Sequence, residues 1–152
     1  MAVLLPDTAP QPLTLLTEEE QMFRETVRQF AEDSISSRVA SMDAEGRMDA
    51  DLIPAIFELG LMGIEIPEKW GGAGSSFFTA VLVVEELSRI DPSVGVLVDV
   101  QNTLVNNCLI RYGSDDLRGR YLPRLAADTV GAYALSEAGS GSDAFALQTR
   151  AR

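Results

Sequence analysis

Ser136-Glu137-Ala138-Gly139-Ser140-Gly141-Ser142-Asp143 concentrates hydroxyls, carboxylates and glycines in one short run. Glycines let a backbone come close to a ligand, and hydroxyls can hydrogen-bond it, so the run reads as a binding loop at the end of a strand. A flexible β connection fits the same pattern equally well. No nucleophile–base pair stands here, since no His or Lys is near and the run is not Gly-x-Ser-x-Gly. Gly71-Gly72-Ala73-Gly74-Ser75 opens a helix, and helix-opening amides can cradle a phosphate. It lacks the Gly-Lys-Ser/Thr of a P-loop, and a tight helix-connecting turn accounts for the glycines more simply. Glu85-Glu86 reads as a solvated helix end rather than a carboxylate dyad, because adjacent helix positions diverge by about 100°. Cys108 falls on an apolar helix and reads as a buried thiol. Trp70, beside the glycine run, is either a lid or a packing residue. Gln101, Asn102, Asn106 and Asn107 set amides on an otherwise apolar helix, which predicts a polar cavity or buried helix–helix hydrogen bonds.

These residues have to be positioned mainly by helices. Residues 1–16 contain Pro6, Pro10 and Pro12 and read as an extended lead-in. Thr17-Glu18-Glu19-Glu20 is a capping box. Phe23, Val27, Phe30, Ala31 and Ile35 then recur at helical spacing, predicting a helix to about Val39. After a polar break at Ser41–Asp49, a second helix starts near Asp51, buries Leu52, Ile53, Ile56, Phe57 and Leu59, and carries Pro54 in its first turn; Gly60 is its expected stop. Ile64-Glu65-Ile66-Pro67 reads as short and extended. Ser75 is the expected cap of a third helix to Ile90, apolar nearly all round. Asp91-Pro92 starts a fourth that ends at Tyr112-Gly113, and Ser114 caps a fifth. Beyond Ala127, Val130–Leu135 reads as a strand, and residues 144–152 begin a second extended run. The fold class is thus mainly α: a helical domain over 17–127, then an incomplete β domain beginning at 128–152.

The chain has 152 residues, with 46% hydrophobic and 23% charged, enough apolar material for one packed domain. Lys and Arg number 12 against 23 Asp and Glu, a formal charge of −11. No basic stripe for tracking phosphates is present, which argues against nucleic-acid binding and against docking on an anionic membrane. The charge-free stretch from Gly71 to Val84 is shorter than the roughly 20 residues a spanning helix needs, so no membrane insertion is expected. Residues 1–23 hold no Lys or Arg, so they offer neither a secretory n-region nor an Arg-rich transit peptide. The single cysteine excludes an internal disulfide and points to a reducing compartment. His is absent, which removes Ser-His and Cys-His pairs and imidazole metal sites; no metal is expected.

At Tyr133-Ala-Leu-Ser-Glu-Ala-Gly-Ser-Gly-Ser-Asp143 the sequence resembles the signature of the acyl-CoA dehydrogenases. Leu59–Gly72, Val84–Asp91, Gln101–Leu104 and Tyr121–Pro123 match in order, so the resemblance covers about Thr17 to Arg152. Gly60–Glu65, Gln101-Asn-Thr and Ser136–Leu147 look most like the short/branched-chain (2-methylacyl-CoA) members. The resemblance implies an N-terminal helical domain, a middle β domain and a C-terminal bundle with FAD between them, assembled as a tetramer. It implies α,β-dehydrogenation, in which a glutamate takes the α proton, the flavin takes the β hydrogen as hydride, and electrons pass to electron-transfer flavoprotein. Tyr133, Ala134, Leu135, Ser136, Gly141 and Ser142 match the residues lining the flavin, and Ser142 also matches a contact to the acyl-CoA. The catalytic glutamate of such enzymes matches nothing in this chain, and Glu137 does not take its place. The expected setting is the mitochondrial matrix, or the cytoplasm of a bacterium. A different reading of the same residues is a non-catalytic helical module of dehydrogenase ancestry that binds an acyl-CoA or a protein partner.

Overall fold

A computed structural model describes residues 15–150. The lead-in expected at 1–16 lies outside these except at its end. Helix α1 (Glu18–Phe30) opens on the expected capping box: the Thr17 hydroxyl accepts from the Glu20 amide at 3.2 Å and the Thr17 amide donates to the Glu20 carboxylate at 2.8 Å. The helical path then widens into a π turn over Ala31–Ile35, tightens over Ser36–Arg38, and resumes as α2 (Val39–Glu45). It therefore runs past the polar break expected at Ser41. Gly46 at φ 59° ends it, with the Arg47 amide on the Met42 carbonyl and the Gly46 amide on that of Asp43. Helix α3 (Leu52–Glu58) stops in the same way at Gly60, φ 72°. There Leu61 N–H reaches Ile56 C=O and Gly60 N–H reaches Phe57 C=O, the paired bonds that only a left-handed residue at this place allows.

Helices α4 (Phe77–Ser88) and α5 (Pro92–Asp99) lie antiparallel, turned by Asp91, whose carboxylate accepts from the Ser93 amide at 2.8 Å. A Cβ on Gly95 would sit 2.0 Å from the Ser88 hydroxyl, so this glycine sets how closely the two helices approach. Ser76 rather than Ser75 caps α4, accepting from the Thr79 amide. The Ser75 amide is tied to the Ile64 carbonyl, so the chain is still in its loop at that point. Path α5 continues through a π segment (Val100–Asn106) into α6 (Asn107–Tyr112), and Ser114 caps α7 (Asp115–Ala127).

Two clusters form the core. Val27, Ala31 and Ile35 from the first path pack with Ile56, Leu61, Met62, Ile64, Val83, Leu87, Val94 and Val98. Ile66 packs with Leu122, Leu125 and Ala126 of α7, and Trp70 lies against them, so Trp70 is a packing residue. Some expected burial is absent: Leu59 is exposed, and α4 leaves Phe77 and Val81 open on one side. Cys108 is exposed as well. It sits one helical turn from exposed Leu104 and exposed Tyr112, on the solvent stripe of an otherwise apolar helix.

The largest departure from the sequence reading is Glu86. Glu85 is exposed, but Glu86 is buried and takes two bonds from Arg28, at 2.6 and 2.9 Å. Arg89 and Arg24 lie 3.4 and 3.9 Å away, and Arg89 also pairs with Glu32 at 2.6 Å. The cluster ties α1 to the end of α4. Hydrogen bonding from Arg28 holds the Glu86 carboxyl below the ordinary carboxylate range, against the opposing effect of burial.

The glycine run folds back onto 63–66. Amides of Ala73, Gly74 and Ser75 donate to carbonyls of Gly63, Ile66 and Ile64 at 2.8–3.0 Å. A Cβ at Gly72 would stand 2.1 Å from the Ile66 carbonyl oxygen, a backbone atom that cannot step aside.

Residues 128–150 carry no helix beyond a short 3-10 turn at Ala144–Ala146, where a second extended run was expected. The Val130–Leu135 strand is likewise not formed. A strand is defined by its ladder, and among the described residues the only bridge is an isolated one between Glu137 and Ser140.

Glu86→Gln should destabilise the chain by about 2 kcal/mol at pH 7, since it removes the charge on which half-exposed arginines converge. Because the folded carboxyl titrates below its unfolded value, its contribution is present above about pH 4.5 and is lost as pH falls through the folded pKa. The gap between wild type and Glu86→Gln in urea unfolding should therefore be flat near neutrality and narrow in acid. A gap that persists unchanged in acid would contradict this. Gly72→Ala should cost about 2–3 kcal/mol through overpacking, read as a lower melting temperature. A substitution that leaves the melting temperature unmoved would show that the loop is not held as described.

Candidate functional site

The glycine run is removed as a phosphate cradle by its own bonding, since the amides of Ala73, Gly74 and Ser75 already have carbonyl partners. Glu137 is occupied too: its carboxylate accepts from the Gln148 and Thr149 amides at 2.9 and 3.1 Å. It staples the end of the described chain to the loop.

The amides on the α5–α6 path prove to be a clamp rather than a cavity. Asn102 Oδ1 accepts from Ile64 N–H at 2.9 Å, and its Nδ2 donates to Leu61 C=O at 2.8 Å and to Val98 C=O at 2.9 Å. Asn106 Nδ2 donates to Met62 C=O at 2.8 Å, and Asn107 Nδ2 to Glu65 at 2.8 Å. Gln101 works on the other side. Its Nε2 donates to the carbonyls of Leu125 and Thr129 at 3.0 and 3.1 Å, and its Oε1 accepts from Gly131 N–H at 2.7 Å. All are buried. Asn102 and Thr103 also bond the carbonyls four residues back, of Val98 and Asp99. Side chains inserted into the i→i−4 pattern widen a helix, and the π segment lies where they do so. The sequence pointed to buried amide bonding; Gln101 does bond the Leu125 carbonyl of α7, while most of the other partners are loop groups at 61–65 and 129–131.

Beyond the clamp the chain leaves the helical body. Tyr133, Ala134, Leu135, Ser136, Gly141 and Ser142 are all exposed, Tyr133 at 51%. Among the described residues, no backbone partner exists for the amides of Ala132 to Ser136, or for those of Gly141 and Ser142. Glu137 and Ser140 exchange backbone bonds at 2.9 and 3.1 Å, and the Ser140 hydroxyl donates to the Asp143 carbonyl at 2.8 Å. The loop is therefore a tight turn held by Ser140, with the Ser136 and Ser142 hydroxyls outside it. No Lys or Arg occurs from Gly131 to Thr149. The segment therefore has no cation to pair with a phosphate, and its unpartnered groups at 132–136, 141 and 142 are neutral amides and hydroxyls. No group of His, Cys, Asp and Glu suited to a metal exists among the described residues, and none of their helices is long and apolar enough to cross a membrane.

Comparison with known proteins agrees with this architecture. The family profile described as Acyl-CoA dehydrogenase, N-terminal domain, matches residues 17–129. A probable short/branched chain specific acyl-CoA dehydrogenase of Dictyostelium discoideum is 50% identical over 141 residues, covering 93% of this chain and 34% of the relative. The mitochondrial short/branched chain specific enzyme of Bos taurus is 44% identical over 140 residues, covering 92% and 32%. A glutaryl-CoA dehydrogenase from Mycobacterium smegmatis, solved in complex with FADH2, superposes with a TM-score of 0.82 at 30% identity, over 90% of this chain and 35% of that one. The chain thus spans about a third of the length of these relatives. With the profile match, the helical architecture and this identity together, the chain belongs to the acyl-CoA dehydrogenase family and carries its N-terminal helical domain.

Proposed function

We propose that this chain forms the N-terminal portion of an FAD-dependent acyl-CoA dehydrogenase acting on short, 2-methyl-branched acyl-CoA. Residues 17–127 are its helical domain and 128–152 the start of its middle β domain. The observation that carries the reading is the exposed stretch Tyr133–Ser136 together with Gly141 and Ser142, whose amides have no backbone partners among the described residues, in a chain of this family. The donor set fits the cofactor. A flavin ring presents alternating acceptors and donors along one edge, and free amides of Ala134 to Ser136 with the hydroxyls of Ser136 and Ser142 can meet them. Tyr133, Leu135 and Gly141 complete the wall. FAD, when bound there, would supply the acceptor for the hydride leaving the β carbon.

This chain's own residues hold and orient. Ser142 serves both the cofactor and the acyl-CoA. The base that takes the α proton is assigned to residues outside this chain. The short/branched-chain preference is supported by the names of the Dictyostelium and bovine relatives. A matrix location follows the mitochondrial designation of the bovine one. Electron-transfer flavoprotein as electron acceptor and a homotetramer follow from the family pattern.

The test is a chimera in which residues 17–150 replace the matching segment of the Dictyostelium relative. It should retain flavin absorbance, roughly at 350–500 nm, and oxidise 2-methylbutyryl-CoA. A chimera that folds but stays colourless would overturn the proposal. Within it, Ser142→Ala should raise KM for the acyl-CoA about fivefold, the loss of about one hydrogen bond. An unchanged KM would remove Ser142 from the substrate site.

A further inference from the structure

The segment assigned to the cofactor starts on a single buried side chain. Gln101 is fully buried and makes three bonds to the backbone between Leu125 and Gly131. It takes the carbonyls of Leu125 and Thr129 through Nε2 and the Gly131 amide through Oε1. Gly131 is pressed against the same helical path, since a Cβ there would lie 2.5 Å from Cγ1 of Val105, about one helical turn beyond Gln101. After Gly131, no backbone hydrogen bond restrains the chain until Glu137. The direction in which 132–136 departs is therefore set at one point. The neighbouring amides do something else: Asn102 and Asn106 bond only residues 61–64 and their own helical path.

We infer that Gln101 is a positioning residue for the flavin-facing segment, aiming Tyr133–Ser136 by fixing the backbone at Leu125, Thr129 and Gly131. The inference rests on the assignment of Tyr133–Ser142 to the cofactor. It goes beyond that assignment by placing control of the segment on a residue of the α5–α6 path, outside the segment itself. One planar amide suits the role because it offers two donors and an acceptor from a single rigid group. Gln101→Met keeps the length and apolar body while removing every hydrogen bond. Gln101→Glu keeps the acceptor for Gly131 and loses the two donors.

The experiment measures backbone 15N order parameters on the whole 152-residue chain for wild type, Gln101→Met, Gln101→Glu and Asn102→Leu, and flavin content in the chimera carrying each change. In wild type, Gly131 to Tyr133 should be near the rigid value of about 0.85. Gln101→Met should drop residues 131–136 below about 0.6 while 61–66 stay rigid. Gln101→Glu should restore part of the order, and Asn102→Leu should loosen 61–66 only. Flavin content should fall at least fivefold with Gln101→Met and by less than twofold with Asn102→Leu. Where Gln101→Met fails to fold, Gln101→Glu decides on the same two readouts. Equal loosening of 131–136 by Asn102→Leu, or an unchanged segment in the Gln101 variants, would overturn the inference. A colourless wild-type chimera would sink the cofactor assignment, while the order parameters would still decide the positioning.

Discussion

The structure depends on a constraint that applies to every buried loop: backbone N–H and C=O groups taken out of water must be bonded to something. Residues 61–64 are buried outside any helix, and at 129–131 the chain leaves the end of α7 without sheet partners. The side-chain amides of Gln101, Asn102 and Asn106 bond them instead. Each such bond contributes about 1 kcal/mol net, but each partner left bare in the interior would cost about 1–3 kcal/mol. The clamp therefore matters more for what its loss would expose than for the bonds themselves. It also accounts for the π segment, since two of its side chains bond carbonyls four residues back.

Other features follow from that arrangement. With 61–66 held against the α5–α6 path, Ile64 faces one core cluster and Ile66 the other, so a single short segment joins two cores. The glycine run can then pack back on it, and Gly72 is required by the closeness of the Ile66 carbonyl. The ion cluster at Glu86 closes the far side, locking α1 onto α4. Beyond Gly131, outside the helical body, the amides of Ala132 to Ser136 have no backbone partners among the described residues and are open to a ligand or further chain.

Much of this was legible in the sequence. Thr17 with Glu20, Asp91-Pro92, Gly60 and Ser114 mark element ends because caps and stops depend on neighbours a few residues away. The family was legible as well, because its segments match in order. Features set by distant contacts were not. Glu86 looks like any helix-end glutamate until Arg28, separated by 58 positions in the chain, is folded against it. Cys108 and Leu59 sit in apolar surroundings in sequence but on the outward stripe in space. The amides at Gln101, Asn102 and Asn106 announced buried polar work by their residue types; their partners are backbone groups, which carry no sequence signal. Val130–Leu135 has strand composition, but a strand exists only with a neighbour to pair with.

The most direct test of the clamp is amide hydrogen exchange at Ile64 and Gly131. These two backbone N–H groups have side-chain oxygens, Asn102 Oδ1 and Gln101 Oε1, as their acceptors. If the amides organise the fold as described, Ile64 should exchange only on global unfolding, and Gly131 should be clearly protected while Ala132 to Ser136 exchange freely. Exchange of both Ile64 and Gly131 at the rate of an unstructured chain would contradict the account.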